Sequence, residues 1–222
     1  MMMETPFPPH VHFELEGWLL FWADLELLPA AEARLESLRG EVAAKVRHFY
    51  RLATLGEQPT VAAVRRLFRQ AGCDPARYRP ASEALLRRLL KGEDLPAIHP
   101  LVDLGNCVSA ELAVPVCMAD SSAIDPPLVW RAGRAGETMA SLKGPFDLEG
   151  KPLLLDRQGP LDVPITGSER VKVTQATSRA WLVAYLPTGV LDAGRAQDAL
   201  EAAIAAAPVA TVRGTGVTPP SA

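Results

Sequence analysis

RYRPASEALLRRLLKG, residues 77–92, is the stretch from which the fold can be read. Pro80 suits the start of a helix, where a missing N–H costs nothing, and Gly92 suits its end. Between them Leu85, Leu86, Leu89 and Leu90 recur at helical spacing as an inner stripe, with Arg87, Arg88 and Lys91 on the outer edge. A preceding helix is predicted from Thr60, as N-cap, to Gly72, with Val61, Val64, Leu67, Phe68 and Ala71 inward and Arg65, Arg66 and Arg69 outward. Further upstream, Leu35, Leu38, Val42, Val46 and Phe49 mark the buried face of a helix over 30–52. Ahead of all three, Trp18 to Ala23 is a short apolar run rich in aromatics, which reads as a buried strand.

From Asp103 onward the texture changes to short segments broken by Pro and Gly: LVWRAGRAG, ETMASLKG, KPLLLDRQGPL, RVKVTQATS and RAWLVAYL, spaced as strands. An alanine-rich helix then opens near Asp192 and stops at Pro208. Helices first and strands after predict an α+β fold. The organisation expected is a partly flexible leader over 1–17, a single domain over 18–207 and a flexible tail over 208–222.

The chain has 222 residues, 48% hydrophobic and 22% charged, enough to bury a substantial core. Its net charge of −3 supplies no global basic field, so any RNA contact has to use a local basic face. Three cysteines without a CxxC pair fit neither a disulfide scaffold nor a closed zinc site, which predicts a reducing cytoplasm, no metal and no cofactor. Pro6, Pro8, Pro9, His10 and His12 stand where a signal peptide would be basic and then apolar. The most apolar stretch, GWLLFWADLELL, is interrupted by Asp24 and Glu26 and falls short of the roughly 20 residues that span a bilayer, so no membrane partner is expected.

Several segments have the residue types that binding or catalysis needs. Arg65, Arg66, Arg69, Arg77, Arg79, Arg87, Arg88 and Lys91 form either a phosphate-binding surface or an ordinary solvated face. Tyr78, between Arg77 and Arg79, either stacks on a base or covers helix ends. Asp103 and Asn106, in HPLVDLGNCVSAELAVPVCMAD, are placed to line a pocket; a reactive thiol at Cys117 would need a base, for which His99 is the nearest histidine in sequence, and a small buried thiol is the alternative. Thr166, Gly167, Ser168, Glu169, Arg170 and Lys172 make a dense polar turn, in which Glu169 either holds substrate or water or pairs with Arg170 on the surface.

In this order, RYRPASEALLRRLLKG, LPAIHPLVDLGNCVSAELAVPVCMAD and PITGSERVKVTQATSRAWLVAYLP closely resemble the B3/B4 domain of the phenylalanyl-tRNA synthetase beta subunit, and particularly its free-standing relatives, over roughly Trp18 to Ala207. The resemblance implies N-terminal helices packed on a sandwich-like β-sheet core. It also implies a trans-acting editing factor that hydrolyses mischarged aminoacyl-tRNA, with the tRNA acceptor end as partner, or else a non-catalytic module that binds tRNA or an amino acid. Glu169 matches the acidic position of the synthetase motif GGE, and Asp103 and Asn106 match VDxxN. On that basis Glu169 and Asn106 are the catalytic candidates. Asp103, Cys117, Thr166, Gly167 and Ser168 are the substrate-binding candidates, and Arg77, Arg79, Arg87 and Arg88 hold the RNA. Cys117 stands where the synthetase pattern has a histidine, and Ser168 replaces the second glycine of its turn. The synthetase's catalytic partner and anticodon module have no counterpart in these segments, so a ligase is not expected.

Overall fold

The computed structural model describes residues 7–29 and 32–218. In chain order the elements are β1 (Val11–Phe13), β2 (Trp18–Leu27), α1 (Glu32–Phe49), α2 (Pro59–Gln70), α3 (Ala81–Leu90), α4 (Pro100–Leu112), β3 (Val116–Asp120), β4 (Leu128–Ala132), β5 (Thr138–Ser141), β6 (Gly144–Asp147), β7 (Pro152–Asp156), β8 (Gly159–Val163), β9 (Thr166–Gly167), β10 (Arg179–Pro187), α5 (Ala193–Ala206) and β11 (Ala210–Thr218). One sheet runs β1-β4-β7-β8-β9, a second β11-β2-β10-β3, and β5 and β6 form a separate hairpin. The fold is α+β.

The apolar run that begins at Trp18 becomes β2, a central strand flanked by β10 and β11. Helices α4 and α5 lie against this second sheet, and α1 packs on α4. Aromatic rings join the two sheets. Trp18 of β2 meets Trp130 of β4 edge to face at 5.4 Å, and Trp130 stacks on Tyr185 of β10 at 5.0 Å. All three are essentially fully buried, and each contributes on the order of 1.5–3 kcal/mol or more through lost apolar exposure.

The helical stripes hold where the core continues beneath them. Leu35, Leu38, Val42 and Val46 are buried, but Phe49, on the same line, is 72% exposed. In α2 the inward set Val61, Val64, Leu67 and Phe68 is buried, while the helix starts one residue earlier than Thr60, with Pro59 in its first turn and Gln58 as cap. Gly72 closes the end with φ +98°, a conformation that favours glycine.

Three expectations are corrected. The segment from Asp103, read as part of a strand-rich half, lies in α4: His99 caps that helix by accepting from the Leu101 N–H, and Pro100 occupies its first turn. Nearly the whole helix is buried, so no polar face marks its period. RVKVTQATS is not a strand beyond an isolated bridge of Lys172 to Ala119; Thr177 accepts from the Thr174 N–H and donates to Asp120 at 2.6 Å, holding the segment as a turn. The flexible tail expected from residue 208 instead contains β11, which pairs with β2 across a bulge between Val212 and Gly214. Its glycines permit that docking, since a Cβ on Gly216 would lie 2.6 Å from the Pro8 ring. The leader is likewise part of the fold where it is described: β1 pairs in parallel with β4. Residues 1–6 and 219–222 of the leader and tail lie outside the described residues.

Candidate functional site

A cavity of about 460 Å³ opens between α3, α4, β3, the tip of the β5–β6 hairpin and the segment from β8 to Val173. Three local features shape it. The first amide of α3, on Ala81, donates to the Pro164 carbonyl at 2.9 Å and ties that helix to the turn after β8. Gly105 lets α4 approach β3, because a Cβ there would sit 3.2 Å from the Met118 methyl. Gly167 does the same opposite the hairpin, with Leu142 Cδ1 at 3.3 Å from the corresponding position.

Asn106, Cys117, Thr166, Gly167, Ser168 and Glu169 all line this cavity, although they come from three separate parts of the chain. Ser168 is buried and its hydroxyl accepts from the Arg170 N–H at 3.3 Å, which starts a 3-10 turn over Glu169–Val171. Glu169 stands exposed at the mouth. It pairs with Lys172, not with Arg170. Arg170 turns inward, where it donates to Asp156 at 2.8 Å and to the Ala123 carbonyl at 2.8 Å.

The structure adds one residue that the sequence reading missed. Asp162, near the end of β8, is 4% exposed and lines the cavity. Its Oδ2 accepts from the Tyr185 hydroxyl at 2.7 Å, and the Cys117 thiol and the Val163 N–H also hydrogen-bond the carboxylate. Among the described residues no cation pairs with it. Burial therefore dominates and pushes its carboxyl up to about 7. The available signal was a lone carboxylate inside the apolar run LDV.

Cys117 is correspondingly inert. Burial first, and then the adjacent Asp162, push its thiol well above the ordinary range, so the thiolate is suppressed. His99 is not its base: the imidazole Nδ1 is committed to the helix cap, and burial lowers its affinity for a proton.

Asp103 is a correction to the substrate-binding set, because it does not face the cavity. Its Oδ1 accepts from the Ile98 N–H at 2.9 Å and its Oδ2 pairs with Arg39 of α1 at 2.5 Å, so it fastens the start of α4 to α1. The arginines divide. Arg88 reaches the cavity wall and pairs with Glu93 at 2.9 Å, beside a mouth that also carries Lys143 and Lys172. Arg79 and Arg87, together with Arg65, surround the buried carboxylate of Glu83 at 3.6, 3.7 and 3.3 Å. Tyr78 is already engaged by Lys151 at 4.1 Å, by Arg77 at 5.1 Å and by the edge of Phe146. Among the described residues, no group of three His, Cys, Asp or Glu side chains is placed to hold a metal ion. No described helix is long and apolar enough to cross a membrane.

No curated protein matches the chain. Among solved structures, an N-terminal fragment of the phenylalanyl-tRNA synthetase beta-subunit from Pyrococcus horikoshii is similar over 95% of this chain at 16% identity and a TM-score of 0.44. The chain spans 50% of the length of that fragment. The B3/4 domain pattern matches residues 63–203, more than half of the chain and all of the segments that line the cavity. The chain therefore belongs to the B3/4 domain family.

Proposed function

We propose that this protein is a trans-acting editing factor that binds the acceptor end of tRNA and hydrolyses the ester of a mischarged amino acid. The observation that carries the reading is the cavity itself. About 460 Å³ of largely apolar cavity carries polar groups from Asn106, Thr166, Ser168 and Glu169, beside a mouth with Arg88, Lys143 and Lys172. An aminoacyl ester is already reactive, so holding one water against the carbonyl accounts for much of the required chemistry. Glu169, at the mouth, orients that water or the amino acid, and Asn106 donates to the carbonyl oxygen as charge develops there. Cys117 contributes shape and a hydrogen bond rather than a nucleophile, because its thiol stays protonated.

Phosphate binding falls to Arg77, Arg79, Arg87 and Arg88. Glu83 offsets one of the three guanidinium charges gathered around it, which leaves an excess of positive charge on that face. The test is to incubate the protein with a panel of mischarged tRNAs and follow ester loss, with Glu169→Ala in parallel. Deacylation of at least one member and its loss in the variant are expected. Failure on every member overturns editing, and salt-sensitive tRNA binding without ester loss identifies a binding module instead. Reversing the charges of Arg87 and Arg88 is expected to weaken tRNA affinity and flatten its salt dependence; unchanged affinity removes these arginines from the interface.

A further inference from the structure

Asp162 is placed unusually for a structural carboxylate. It sits in the first sheet and receives a hydrogen bond from Tyr185 of the second, so it bridges the two sheets while facing the cavity. A carboxylate this buried is costly unless a cation or a full set of donors compensates it. Tyr185, Cys117 and the Val163 backbone N–H supply neutral donors only, and among the described residues no cation pairs with it. Gly167 lies beside the carboxylate, where a Cβ would come into ordinary contact with Asp162 Oδ1 at 3.8 Å. The surrounding wall is largely apolar, with Val102, Met118, Val163 and Val171 among its residues. The cations gather elsewhere, with Arg88, Lys143 and Lys172 exposed along the lining. The cavity thus has a buried negative site and a separate positive margin.

We infer that Asp162, oriented by Tyr185 and Cys117, receives the primary ammonium of an aminoacyl ligand whose phosphate-bearing end lies against Arg88, Lys143 and Lys172. This deepens the editing reading and rests on it for the identity of the ligand. The assignment gives the buried carboxylate the counter-charge that the protein withholds, and an ion pair inside a low-dielectric wall discriminates strongly against an uncharged analogue.

The experiment titrates the full chain with amino alcohols, each the counterpart of one amino acid reduced at its carboxyl, and with their N-acetyl derivatives, followed by NMR. Free amines are expected to bind, and N-acetylation is expected to weaken binding by about tenfold or more. Asp162→Asn should produce a similar loss. Gly167→Ala, which sets a methyl between Leu142 Cδ1 and Asp162 Oδ1 at 3.3 and 3.8 Å and so narrows the approach to the carboxylate, should weaken amine binding too and decides the matter if the first variant fails to fold. Equal affinity for acetylated and free ligands, affinity governed by a side-chain hydroxyl instead of the amine, full affinity in both variants, or no binding of any amine overturns the assignment. Amine binding that depends on Asp162 without deacylation of any tRNA supports this assignment while overturning editing.

Discussion

Glu83 and Asp162 are both buried carboxylates in the same family match, yet their surroundings are opposite. Three guanidinium groups lie within 3.7 Å of one Glu83 oxygen, contributed by α2, α3 and the segment before α3. Asp162 has a phenol, a thiol and one backbone N–H, and its carboxyl is pushed up to about 7. The first carboxylate is a structural hub that gathers guanidinium groups from three parts of the chain. The second is undercompensated and opens on a cavity, the arrangement expected where a protein expects a ligand's charge. Burial alone does not separate structure from function; the identity of the compensating groups does.

The largest expected effect tests the hub. Glu83→Ala leaves Arg65, Arg79 and Arg87 facing one another, and a loss of about 3–5 kcal/mol in stability is expected by chemical denaturation. A loss below about 1 kcal/mol would show that solvent already compensates these guanidiniums. Asp162→Asn has the opposite sign at high pH. Because the folded carboxyl is raised from 3.8 to about 7, it holds its proton more tightly folded than unfolded; the corresponding stability is complete below about pH 4 and is lost as pH rises through about 7. The variant should therefore exceed the wild type by on the order of 4 kcal/mol at pH 8, with the advantage shrinking towards pH 4. A pH-independent difference would falsify the description of Asp162 as undercompensated.

Tyr185→Phe removes one of the neutral donors and leaves the ring stack on Trp130 in place, so a loss of about 1–2 kcal/mol is expected, together with a still higher carboxyl pKa by NMR titration of Asp162. Glu169→Ala should change thermal stability least, by less than about 0.5–1 kcal/mol, since its pair with Lys172 is solvent-exposed. Coupled with lost deacylation, that small change would separate a working carboxylate at the mouth from the structural one at Glu83.

The helices and the central strand were legible because each buries one face at its own period, as Val61, Val64, Leu67 and Phe68 do in α2. Helix α4 was missed for the converse reason: it is buried on nearly every side and carries no alternation. The strand β11 was hidden by its glycines, which weaken strand propensity yet are what allow Pro8 to lie against Gly216. Of the site, Asn106, Cys117 and Thr166 to Glu169 were found through the order of their segments, whereas Asp103 was misplaced because its neighbour Arg39 lies 64 residues away in sequence.

By itself the sequence determined the α+β class, the helical faces and the family, since these depend on local periodicity and on the order of short segments. Only the tertiary structure decided which polar groups share a cavity. Asp162, Cys117 and Tyr185 come from three strands in two sheets, and their contact is set by how those sheets stack on Trp18 and Trp130. No spacing along a chain encodes such an encounter, because a carboxylate's charge state follows from the dielectric and the donors around it, which exist only once distant segments have packed together.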